Sequence, residues 1–240
     1  MSNVWYLLRR ELGVYLRSPV GYIMIAVALG LEGLAFNAFA LIGQHKSSEV
    51  LETFFFWSGG ITAAVSIFVA MRLIAEERQS GTLALLATSP LRDWQIVLGK
   101  FLGGVIFLVV LNALSIYMPL LILVHGKISL GHLFAGYLGV ILFASSTLAL
   151  GLLCSAVSPN QLVAVILGSG VVLIFILLWA LSKIADPPLE DILAYLSLHN
   201  KHFRPFMRGL ISVQDLVFYL SLIYVSLTMT TRVLETRRWR

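Results

Sequence analysis

The sequence predicts an all-α integral membrane protein with six transmembrane helices, an N-terminal interfacial helix, a short helix between spans two and three, and a long loop before the last span. Three observations carry this. The 240-residue chain is 59% apolar and only 12% charged, whereas soluble domains sit near 45–50% apolar. Its mean hydropathy is +0.91. The apolar residues also fall into six long runs, and a span needs about 20 mostly apolar residues to cross a hydrocarbon layer ~30 Å thick.

Residues 3–17 form the first expected element, an interfacial helix. In VWYLLRRELGVYLRSP, Val4, Trp5, Leu8, Leu12, Tyr15 and Leu16 share one helical face. Arg10 and Arg17 lie opposite, placed for the phosphates of membrane lipids. Ser18–Pro19 then breaks the helix, because proline disfavours helix at the preceding residue. The spans are expected at Val20–Gly43, Phe54–Met71, Leu98–Val124, Leu130–Ala156, Leu162–Ser182 and Val213–Thr230. An even number of crossings puts both termini on one side. That side holds eleven of the 17 Lys and Arg, so the termini are expected in the cytoplasm of a bacterial cell, with the protein in the inner membrane. Between spans two and three a cytoplasmic segment, 75–97, carries Glu76, Glu77, Arg78, Arg92 and Asp93. Before the last span, residues 183–212 are too long for a mere connector. There Leu189, Ile192, Leu193 and Leu196 predict one amphipathic helix capping the outer surface. All 240 residues read as a single membrane domain.

Composition also excludes functions. The net charge of +5 comes without a basic stripe interleaved with aromatics, so nucleic acid is not an expected partner. One cysteine, Cys154, rules out a disulfide framework and a Cys-based zinc site. The first apolar run begins late and lacks a cleavage-site pattern, so no removable signal peptide is expected. GQHKSS at 43–48 fails as a P-loop, since His45 stands where glycine must precede the lysine.

The segment 75–97 poses the functional question. Gly81 should interrupt the helix ahead of it, and Ser89–Pro90 should stop the one that follows. What lies between is a stub of about two turns exposing Leu83, Leu85 and Leu86. Such a stub needs a partner surface. EERQSGTLALLATSPLRDWQIVLGK (76–100) resembles the signature of ABC type-2 exporter permeases, nearest the gliding-motility (GldF-like) and NosY-like branch. FMRGLISVQDLVFYLSLIYVSLTMTTRVLETRRW (206–239) is similar to the C-terminal end of GldF-like permeases.

The resemblance implies that the stub is a coupling helix docking into a separate ATPase subunit. Glu76 and Glu77 would sit in the joining helix, with Gly81, Thr82, Leu83, Leu85, Leu86 and Pro90 forming the contact. It implies two ATPase subunits per complex, a second permease copy or a paralogue, and an accessory protein on the periplasmic side. No cofactor is expected in this chain; ATP and Mg belong to the partner. Many relatives carry glutamate two residues after the threonine, whereas this chain has Ala84, so a charged contact is missing or moved.

Glu32, near the middle of span one, is the outstanding polar residue, since an acid at that depth costs several kcal/mol unless partnered or hydrated. Two readings stand: a substrate-path or gating residue, or a tie between helices with Asn37 and Asn112 as candidate partners. Gly99, Gly103, Gly104, Gly136 and Gly139 are expected to let helices approach closely. Gly168-Ser169-Gly170 falls short of a rhomboid-type protease motif, with Leu167 in the place of its first glycine. His199 and His202 share a helical face but lack a third ligand, and a solvated loop is expected there. With no acid–base pair, nucleophile or metal motif, the chain is not expected to be an enzyme. The leading expectation is the transmembrane permease of an ATP-driven exporter. Its rivals are a secondary transporter or channel, a membrane-embedded protease, and a scaffold that tethers an ATPase without transport.

Overall fold

The computed structural model describes residues 2–40, 46–82, 91–122 and 127–238. Among them every regular element is helical and there is no strand. Helix α1 is Ser2–Arg17. Helix α2 is Pro19–Ala35, extended by a π-helical turn at Phe36–Ala40. Helix α3 is Ser47–Met71, continuing through a π-helical turn at Arg72–Glu76 to Gln79. Helix α4 is Asp93–Ser115, followed by Tyr117–Ile122. Then come α5, Leu130–Val157, α6, Gln161–Ser182, α7, Leu189–Leu196, α8, Phe203–Met207, and α9, Val213–Arg238. Six helices, α2 to α6 and α9, are long and apolar enough to cross a membrane.

Local chemistry sets the starts. Ser18 Oγ accepts from the Val20 N–H and Pro19 opens α2, where its fixed φ and missing donor cost nothing. A Cβ at Gly21 would lie 1.8 Å from the Tyr15 carbonyl oxygen. Only glycine lets α1 fold back so tightly onto the start of α2. The Gln95 side chain accepts from the Arg92 N–H at 3.1 Å to open α4, and Asn160 Oδ1 accepts from the Val163 N–H at 2.9 Å to open α6.

Two apolar clusters stack along the bundle. The one nearer the termini joins Tyr15, Val69, Ile74, Val97, Phe107 and Leu148, with Val233 and Leu234 packed against it. Both termini therefore lie at one end. At the far end Phe54, Phe55, Tyr137, Phe143, Phe203 and Tyr219 form the other. Helix α5 is the axis: 78% of its membrane window is buried, against 17% for α6 and 22% for α9. Small residues recur along it, at Gly136, Gly139, Ala144, Ser155 and others, so neighbours approach closely there. Built onto Gly136, a Cβ would meet the Phe55 ring at 2.1 Å; at Gly139 it would meet Phe206 Cβ at 2.4 Å. Gly99 and Gly103, one turn apart on α4, seat Leu7 and Glu11 of α1 in the same way. The close-approach reading of these glycines agrees with the packing.

Three expectations need correction. Helix α1 docks through Leu7, Leu8, Glu11 and Tyr15, so the glycine groove of α4 adds Leu7 and Glu11 to the buried side, while Trp5 and Leu16 of the expected apolar stripe stay exposed. In the loop before the last span there are two short helices, not one. The apolar stripe Leu189, Ile192 and Leu196 of α7 is exposed, and the chain is anchored instead by Leu198, Phe203, Phe206 and Met207. Finally, His199 and His202 are buried, not solvated. His202 Nδ1 lies 2.7 Å from Asp215 Oδ1 and Nε2 lies 2.8 Å from the Tyr195 carbonyl, so a proton must sit between Nδ1 and Oδ1. Its ring stacks on Phe218 at 3.7 Å. The pair ties the loop to the start of α9.

Candidate functional site

At the termini end, where α3 runs out toward residue 83, four charges from three helices converge. Lys100 of α4 is buried, with Nζ 3.0 Å from Glu11 Oε1 of α1 and 2.8 Å from Glu77 Oε1 at the end of α3. Arg10 closes the square from the solvent side, with Nη2 2.9 Å from Glu11 Oε1 and 2.6 Å from Glu77 Oε1. Two cations and two carboxylates cancel, which is the condition for holding charge away from water. The second oxygen of Glu77 is buried with no hydrogen-bond partner among the described residues. Around this cluster is a cavity of about 500 Å³, lined also by Tyr15, Arg72, Glu76, Ser80 and Thr82.

The base of α3 is braced from both sides. The turn at Arg72–Glu76 departs from regular α-helical bonding, and Ser155 of α5 fills the gap. Its Oγ accepts from the Ala75 N–H at 2.9 Å and donates to the Met71 carbonyl at 3.2 Å. Arg72 pairs with Glu76 through two bonds, 2.7 and 3.1 Å. Arg78 donates to the carbonyls of Ser158 and Ala156 at the end of α5. Tyr15 donates to the Val69 carbonyl at 3.2 Å, and burial raises its phenol far above the ordinary range. Past Gln79 the helix ends in a turn. Gly81 has φ +75°, which suits glycine, and Thr82 Oγ1 donates to the Glu77 carbonyl at 3.3 Å. Glu76 and Glu77, expected in the joining helix, and Gly81 and Thr82, expected at the contact, thus lie at or just past the end of α3. Leu83, Leu85, Leu86 and Pro90 lie outside the described residues, as does Ala84.

A second polar array runs through the bundle. Ser58, Thr62 and Ser66 follow one another at one-turn intervals on α3, and each meets a different helix. Ser58 donates to Glu32 Oε1 on α2 at 3.0 Å, Thr62 lies 3.5 Å from Asn112 Oδ1 on α4, and Ser66 Oγ lies 2.6 Å from Thr147 Oγ1 on α5. Glu32 is 1% exposed and its other oxygen has no hydrogen-bond partner among the described residues. Glu32 is therefore held by α3, through Ser58 with Thr62 beside it, and not by Asn37 or Asn112. Asn112 belongs to the next rung, its amide donating to the Leu108 carbonyl at 2.8 Å, and Asn37 is exposed. Among the described residues no group of His, Cys, Asp and Glu could hold a metal ion.

Sequence reasoning passed over Arg10, Glu11 and Lys100 as site residues. A signal was there: Glu11 falls on the buried side of α1, three residues from Leu8 and four from Tyr15, and Lys100 sits inside an apolar run.

Six apolar helices, with α5 largely buried among the others and a charged, cross-braced base under one end, make this a multi-pass membrane protein. The sequence model of the family described as ABC-2 family transporter protein matches residues 21–234, and the chain belongs to that family. A relative described as a probable ABC transporter permease protein NosY, from Stutzerimonas stutzeri, is 29% identical over 107 residues. That alignment covers 43% of this chain and 39% of the relative, so the chain matches well under two thirds of that protein's length.

Proposed function

We propose that the chain is the permease subunit of an ATP-driven exporter in the bacterial inner membrane, with both termini cytoplasmic. In this reading the stub between Gly81 and Ser89–Pro90 is the coupling helix, pushed by a separate ATPase subunit that supplies the ATP and Mg site. The observation that carries it is the Lys100–Glu11–Glu77–Arg10 cluster. It binds α1, α3 and α4 into one block at the end of α3, a few residues before position 83 in the chain, so a push delivered through that end of α3 moves three helices together. A lever is useful only if its contacts differ between the two transport states. The half-exposed Arg10 edge of the cluster is the part free to exchange partners. Two ATPase subunits, a second permease copy or paralogue and a periplasmic accessory protein complete the assembly implied by the family resemblance.

The direct test is to capture the tagged chain from membranes together with the P-loop ATPase expressed beside it, and then measure ATP-dependent cargo movement in vesicles. Capture with transport supports the reading. Capture without transport favours a scaffold, and transport with no ATPase favours a secondary transporter or channel.

Glu32 is assigned a gating role on the same basis, as its bond to Ser58 joins α2 to α3. Glu32→Gln keeps the size of the side chain and an acceptor for Ser58. It is expected to leave membrane insertion and thermal stability unchanged and to alter the transport rate. An unchanged rate reduces Glu32 to a structural tie.

A further inference from the structure

A second cavity is remote from the charge cluster. It is a groove of about 720 Å³ between α2, α3 and α6, reaching the far end of the bundle. Its walls are apolar: Val27 and Leu31 on α2 and Phe68 on α3 stand about half exposed along it. Gly60 and Ala64, one turn apart on α3, keep the floor low. A Cβ added at Gly60 meets nothing within 4 Å, so the space above it is open rather than filled by a neighbouring side chain.

Polar groups come only at one end. There His199 and Asn200 line the groove. His199 is only 8% exposed and is fixed among the rings of Phe56, Phe143 and Phe203, with centroids 5.1, 5.7 and 5.3 Å away. Burial holds its imidazole below the usual histidine range, so at neutral pH it offers one N–H donor and one acceptor. Along α3 the lining runs from Phe56 to Phe68, about 18 Å of helix. That is slightly more than one leaflet of a hydrocarbon layer ~30 Å thick.

We propose that this groove binds an amphiphile with a single extended hydrocarbon chain, its hydrogen-bonding headgroup held at His199 and Asn200 and its chain laid over Gly60 and Ala64. The one-sided polarity and the length match such a molecule. The proposal deepens the permease reading by naming the class of cargo, but the binding does not require an ATPase, and the two can fail separately.

The test uses lysophosphatidylcholine carrying a diazirine midway along its acyl chain. The detergent-purified full chain is irradiated with it and labelled peptides are mapped by mass spectrometry. Capture of the ATPase is scored in parallel. Saturable labelling of peptides containing Val27–Leu31 and Gly60–Ala64, displaced by unlabelled lysophosphatidylcholine, is the expected result. Gly60→Leu should fill the slot and lower that labelling at least tenfold. Ala64→Phe should do the same should the first variant fold poorly. His199→Ala should weaken labelling about tenfold, the loss of one hydrogen bond to a charged headgroup.

Labelling spread evenly over α6 and α9, or unaffected by both groove-filling variants, overturns the proposal. So does a result in which the groove peptides stay unlabelled and Gly60→Leu instead splits a dimer, which would make the occupant a second copy of the chain. Loss of ATPase capture with labelling intact would count against the permease reading alone.

Discussion

Lys100→Met should destabilise the protein by about 3–5 kcal/mol, because it leaves buried charge without its partner. The ammonium is shared by Glu11 and Glu77, whose Oε1 atoms lie 3.0 and 2.8 Å from it. Without it, Arg10 alone faces two carboxylates. Thermal unfolding of the detergent-solubilised chain is the measurement, and an unchanged midpoint would refute the account. The triple variant Glu11→Gln, Lys100→Met, Glu77→Gln should recover most of the loss, since removing a buried ionic set whole is often close to neutral. Arg10→Ala should cost about 1 kcal/mol or less, as its side chain is 49% exposed and water screens it. If the cluster is also the lever, the triple variant will separate two properties: stability returns, but hydrolysis by the ATPase no longer drives transport.

The other large effect is expected from Leu85→Asp combined with Leu86→Asp. Membrane insertion should be normal, because both substitutions fall between the second and third apolar runs of the sequence. ATPase capture should fall at least a hundredfold. Each leucine removed from an apolar contact forfeits roughly 1.5–3 kcal/mol, and each carboxylate brought into the contact adds a desolvation cost. At 1.4 kcal/mol per tenfold, the two together exceed that factor. Capture measured by pull-down against a tagged ATPase decides it, and retained capture counts heavily against the coupling assignment.

Much of the fold was legible, since crossing a membrane demands length and apolarity that few other features imitate. The six spans, the break at Ser18–Pro19 and the turn at Gly81 follow from local chemistry. Gly99 and Gly103 were readable as packing glycines, but not what they would pack against. The face on which α1 docks depends on the distant groove they form. The burial of His199 and His202 escaped for a related reason. A histidine in a polar loop reads as solvated unless its partners are known, and Asp215 and Phe218 lie beyond the next turn of chain. Glu32 was conspicuous because an acid stands out among aliphatics. Its partner was not, because serine is common in spans and only the register of α2 against α3 picks out Ser58.

The near-complete enclosure of α5 has a consequence for biogenesis. This helix is threaded into the bilayer before α6 and α9 have been synthesised, yet α9 covers part of its surface in the finished protein. The part of its surface that α9 covers, Phe143 included, must therefore wait in contact with lipid until the C-terminal residues emerge. A ribosome that stalls after α6 would release a chain with an unsealed seam, and that seam is what a membrane protease would recognise.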